Sequence, residues 1–91
     1  MSVLLIGYDL KGRERPAAYD AVRDAIEQHA ISYRRPLYSQ WLVETGEEVQ
    51  AWSDRLGQVA DAGDSWLVVR VLTPYQGWLP SEVWDWLRER V

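Results

Sequence analysis

The chain has 91 residues, a net charge of −4, 47% hydrophobic content, six Trp, five Tyr and no Cys. That length is one domain, which buries roughly two-thirds of its unfolded surface and folds with little to spare. The composition excludes a disordered tail, the missing Cys excludes disulfides and thiolate metal sites, and the acidic balance argues against a general nucleic-acid binder.

Val3 to Tyr8 is an apolar run that no charge interrupts before Asp9. It reads as a central strand covered on both faces. An acid at the carboxyl end of such a strand is a candidate site for chemistry, and equally a polar exit from the core. The following loop holds Lys11, Arg13 and Arg15, with one Gly and no Walker pattern, so it reads as solvated rather than as a nucleotide cradle.

Pro16 suits the first turn of a helix. Ala18, Tyr19, Val22, Ile26 and His29 then recur at steps of three and four, which predicts an amphipathic helix over 16–29 with His29 on its apolar stripe. Residues 31–35, followed by Pro36, read as an edge strand. A tight turn leads to a third strand over 38–44.

Thr45-Gly46-Glu47-Glu48 has the spacing of a capping box and predicts a second helix striped by Val49, Trp52, Leu56, Val59 and Ala60. Gly57 within it suggests a close approach to the sheet. Asp61-Ala62-Gly63-Asp64 stops the helix, with Gly63 as a left-handed cap. Residues 65–72 read as the fourth strand and 73–80 as a loop. Ser81 is placed to cap a last helix carrying Val83, Trp84, Leu87 and Val91.

The order strand-helix-strand-strand-helix-strand predicts an α+β, ferredoxin-like domain over 1–91, with 73–91 as a loop and helix appendage. Two helices cover one sheet face. The first and fourth strands are apolar on both faces, so the second face also needs a cover. The C-terminal helix supplies part of it, and a homodimer built on the open face supplies the rest. The opening residues have no charged leader pattern and the apolar run is too short for a membrane span, so a cytoplasmic protein with no membrane partner is expected.

Four segments carry a family resemblance: Leu5-Ile6-Gly7-Tyr8-Asp9-Leu10, Ser39-Gln40-Trp41-Leu42-Val43-Glu44-Thr45, Asp64-Ser65-Trp66-Leu67-Val68-Val69, and Gly77-Trp78 with Trp86-Leu87. In order and spacing they resemble the SinR-like small proteins, of the group that includes VapD and the smaller CRISPR adaptation protein, Cas-two. The resemblance spans Val3 to Leu87. It implies a ferredoxin-like protomer that dimerises through its sheet. In the CRISPR and VapD branches an acid matching Asp9 is linked to divalent metal and nuclease activity. The Trp-rich end departs from the CRISPR branch, which has an extra strand there.

Two functions therefore stand side by side. One is a small dimeric interaction module without catalysis and without a cofactor. The other is a Mg- or Mn-dependent nuclease, or a nucleic-acid-binding protein, with Asp9 as metal ligand and catalytic residue. Tyr8, Arg13, Arg34 and Arg35 are the candidate nucleic-acid contacts under that second reading. The plainer roles are Tyr8 as a packed aromatic, Arg13 in a solvated loop, and Arg35 as the guard of an edge strand. The sole His has no nucleophile partner in the pattern, and no His/Cys cluster suggests zinc. Trp78, Trp84 and Trp86 crowd the end of the chain, and Trp84 and Trp86 point to different sides of a helix. Both cannot face one core, so one of these two is expected to be exposed or to meet a partner.

Overall fold

Alternation along the first strand sends every second side chain to the same face, and here both faces are apolar. That strand is β1 (Ser2–Asp9), near the middle of the sheet in a computed structural model that describes residues 1–10, 16–61 and 63–91. It is followed by α1 (Pro16–His29), β2 (Ser32–Leu37), β3 (Gln40–Thr45), α2 (Val49–Val59), β4 (Ser65–Arg70) and α3 (Ser81–Arg88). The strands form an antiparallel sheet in the order β2-β3-β1-β4. The fold is α+β, and among the described residues no helix is long and apolar enough to cross a membrane.

Leu4, Ile6 and Tyr8 of β1 face the two longer helices and pack with Trp41, Val43, Val22, Ile26, Trp52 and Leu56. Val3 faces the other way, into a second core with Leu42 and with Val83, Trp86 and Leu87 of α3. The expected C-terminal cover is therefore present, and it belongs to the same chain. Ser32 ties it down by accepting a hydrogen bond from the Trp86 indole at 2.9 Å, and Arg90 donates to Glu44 of β3 at 3.0 Å.

Pro36 lies inside β2, which is at the sheet edge, and the ladder to β3 is irregular between Arg34 and Leu37. A missing N–H is tolerated there because the strand is an edge and its ladder is already interrupted at that point.

The helix starts differ from the sequence reading. Thr45 does not cap α2: it ends β3, is buried, and its Oγ1 accepts the Glu47 N–H at 3.0 Å and the Trp52 indole N–H at 3.1 Å. The helix begins at Val49, with extended Glu48 before it and no side-chain cap. Glu47 turns instead to Arg55, in a two-pronged pair at 3.0 and 3.1 Å. Ser81 does not cap α3 either, because Pro80 occupies that position. His29 ends α1 but is exposed, off the buried stripe. A Cβ at Gly57 would sit 3.6 Å from the Trp66 ring, an ordinary contact, so that glycine answers no steric demand. Gly63 does adopt the left-handed region (φ 91°), in the turn before β4 rather than against the helix end, where Ala60 is extended. Strand β4 ends at Arg70, two residues short of the expected run.

Candidate functional site

Helix α3 covers only part of the second sheet face. Beyond it, Leu37 is 50% exposed, Leu67 67% and Val69 38%. Between this open sheet, α3 and residues 75–79 runs a groove of about 300 Å³, whose apolar wall includes Leu5, Leu37, Leu42, Val71, Leu79 and Trp84. Trp78 stands on its rim and is 97% exposed. The crowd of C-terminal indoles thus separates by role. Trp86 is core, Trp84 stacks on Tyr75 at 6.1 Å and 10°, and Trp78 points to solvent. A large exposed aromatic beside an apolar groove is the composition of an interaction surface.

Asp9 ends β1 opposite Ser65 of β4 and is exposed. A shallow depression of about 270 Å³ adjoins it, lined also by Gly7, Tyr8, Ser65, Trp66 and Leu67, with no second carboxylate. Among the described residues no three His, Asp or Glu side chains gather where one cation would bind. Magnesium is commonly held by one or two carboxylates plus substrate oxygens and waters. A single described protomer offers one, so its residues do not by themselves fit a dedicated metal cage.

The other predicted contacts do not converge on Asp9. Tyr8 is 7% exposed in the helix-side core; its hydroxyl accepts the Trp41 indole N–H at 2.9 Å, and its ring lies 5.6 Å from that of Tyr19. Burial raises the Tyr8 phenol above its ordinary value of 10.0, against the opposing effect of the Trp41 hydrogen bond and the Arg35 charge. Arg13 falls outside the described residues, as do Lys11 and Arg15.

Arg34 and Arg35 go to opposite sides of β2. Arg34 pairs with Glu82 of α3, donates to the Tyr33 carbonyl at 2.7 Å and lies 5.6 Å from the Trp86 ring centre. Arg35 donates to the Tyr38 carbonyl at 2.8 Å and lies 4.9 and 5.0 Å from the Tyr38 and Trp41 rings. Each guanidinium is engaged within the chain, and the two do not make one cationic patch. The groove itself escaped sequence reasoning, because its walls come from three segments of the chain, at Leu5, 36–42 and 71–87; the local signal was the two-sided apolar strand.

No protein-family model matches the chain, and no curated protein is significantly similar to it.

Proposed function

We propose that the chain is a small, cytoplasmic, non-catalytic interaction module that works as a homodimer, on a ferredoxin-like scaffold of the SinR-like kind. The chain order β-α-β-β-α-β with a wholly antiparallel sheet ordered β4-β1-β3-β2 supports the scaffold. The segments that resemble the SinR-like proteins include the end of β1, all of β3 and most of β4, which are three neighbouring pieces of one sheet. The observation that carries the functional reading is the apolar surface left open beside α3. Leu37 and Trp78 are exposed at a groove, and Leu67 and Val69 are exposed on the same sheet face; the other exposed large apolar side chains among the described residues are Met1, Ile31, Tyr38, Val49 and Leu72. Leu67→Ser should leave the urea midpoint nearly in place, because that side chain is already largely in solvent, and should weaken self-association. An unchanged dimer would remove Leu67 from the interface.

Asp9 supports a second reading, a Mg- or Mn-dependent nuclease or nucleic-acid binder, because it is an exposed acid at the end of a central strand. Under that reading Asp9→Asn keeps the fold and abolishes a chelator-sensitive cleavage of RNA or DNA. Under the proposed one, purified wild-type protein has no such cleavage to lose.

A further inference from the structure

The two edges of the sheet are built differently. Exposed strand edges invite pairing with other chains, and proteins blunt them with charge, Pro and irregular ladders. The β2 edge carries all three: Arg34 and Arg35, Pro36, and the irregularity between Arg34 and Leu37. The β4 edge, Ser65-Trp66-Leu67-Val68-Val69-Arg70, has no Pro, a regular ladder to β1 and a single charge at its end.

The outer side of β4 also has backbone groups to offer. Val71 donates to the Val3 carbonyl at 2.8 Å, which sets the alternation along the strand. Ser65, Leu67 and Val69 turn their N–H and C=O toward β1, and Trp66, Val68 and Arg70 turn theirs outward. Among the described residues no turn or loop backbone bonds to those three.

We propose that β4 is the dimer edge: two copies pair β4 with β4, antiparallel about a two-fold axis at Val68, into one eight-stranded sheet. This rests on the reading of the chain as a homodimer and specifies how it is made. Only outward residues can exchange hydrogen bonds, so Val68 faces the partner's Val68, and Trp66 faces the partner's Arg70. In this register all three outward residues are used. On the open face, Leu67 lies directly against the partner's Val69, and the pair occurs twice by symmetry. These are the two exposed apolar side chains of β4. On the helix side, Arg70, which forms no ion pair among the described residues, meets the partner's Trp66 in a cation–π arrangement. Of the two registers one step away, one carries the pairing past Arg70, where β4 ends, and the other would set Arg70 against the partner's Asp64, whose N–H already donates to the Asp61 carbonyl at 3.1 Å. It would also put Leu67 against its own copy and Val69 against Ser65 of the partner subunit, burying less apolar surface.

The pairing also fixes the place of Asp9. Val68 lies opposite Ile6, and Asp9 is three residues further along β1. With strands ~4.8 Å apart and ~3.4 Å of rise per residue, the two Asp9 Cα atoms of such a dimer are about 25 Å apart. One cation cannot bridge them, so the dimer joins two apolar surfaces and builds no shared metal site.

The chain has no Cys, so single cysteines report contacts cleanly. The Leu67 and partner Val69 Cα atoms would be about 4.5 Å apart, within disulfide range. L67C and V69C proteins, mixed and mildly oxidised, should give mainly the mixed disulfide, while each alone stays largely uncross-linked. A mixture that cross-links no more than either protein alone overturns the edge pairing. Val68→Pro removes an outward N–H and leaves the β1 ladder intact, so folded Val68→Pro protein, judged by circular dichroism, should lose the dimer in sedimentation. A folded, still dimeric Val68→Pro protein also overturns the edge and leaves the homodimer standing. A wild-type chain that sediments as a monomer overturns both. If Val68→Pro does not fold, the cysteine mixture decides.

Discussion

Thr45 shows how one side chain can satisfy a local pattern and still serve a distant one. Thr followed three residues later by Glu reads as a capping box, yet the hydroxyl is buried and used by the Trp52 indole. The sequence holds no signal for that bond, because a buried indole takes whatever acceptor the packing brings to it. Thr45→Ala leaves the Trp52 N–H without its acceptor in the core, so it should cost about 1–3 kcal/mol in urea titration, with Thr45→Ser recovering most of it. A Thr45→Ala midpoint equal to wild type would mean the bond contributes nothing. Tyr8 offers a pH test at the same scale. Burial raises its phenol pKa above 10.0, so folding favours the protonated form. That contribution is complete below pH 10 and is lost as pH rises through the higher folded value. Wild-type protein should therefore lose stability faster than Tyr8→Phe in alkali above pH 10. Parallel declines would show that Tyr8 does not couple to folding.

At the scale of elements, much was legible. The stripe after Pro16 gives α1 over its observed span, and Pro36 marks β2 as an edge. Both signals are local: periodicity and a missing N–H. The start of α2 and the cap of α3 were misread because short polar patterns occur wherever a chain turns, and tertiary packing chooses among them. The division of labour among the last three indoles was only half legible. Periodicity separates Trp84 from Trp86, but the stripe puts Trp84 inward with Val83 and Leu87, whereas Trp86 is the buried indole and Trp84 is only half-buried. Since Trp86 is buried between α3 and the sheet and is bonded to Ser32, Trp86→Ala should cost about 3–5 kcal/mol and uncover Val3 and Leu42. Urea midpoints would measure the loss. A cost well under that range would mean α3 packs loosely and that the second core contributes little.

For the whole molecule, the central fact is an asymmetry of cover. One sheet face carries two helices, and the other carries one short helix beside an open apolar groove. The two-sided hydrophobicity of β1 announced this need for cover, but not how far the chain's own C-terminus would meet it. That depends on where 73–80 returns to the sheet, which no local pattern encodes. The chain meets the need in part and leaves Leu67 and Val69 exposed on a strand edge without Pro or an irregular ladder, the surface of the proposed self-association. Sedimentation equilibrium of the wild-type chain across micromolar concentrations tests it most directly. A mass moving toward twice the 10.6 kDa of the chain as concentration rises is the predicted result, and a constant mass of one chain throughout would contradict it.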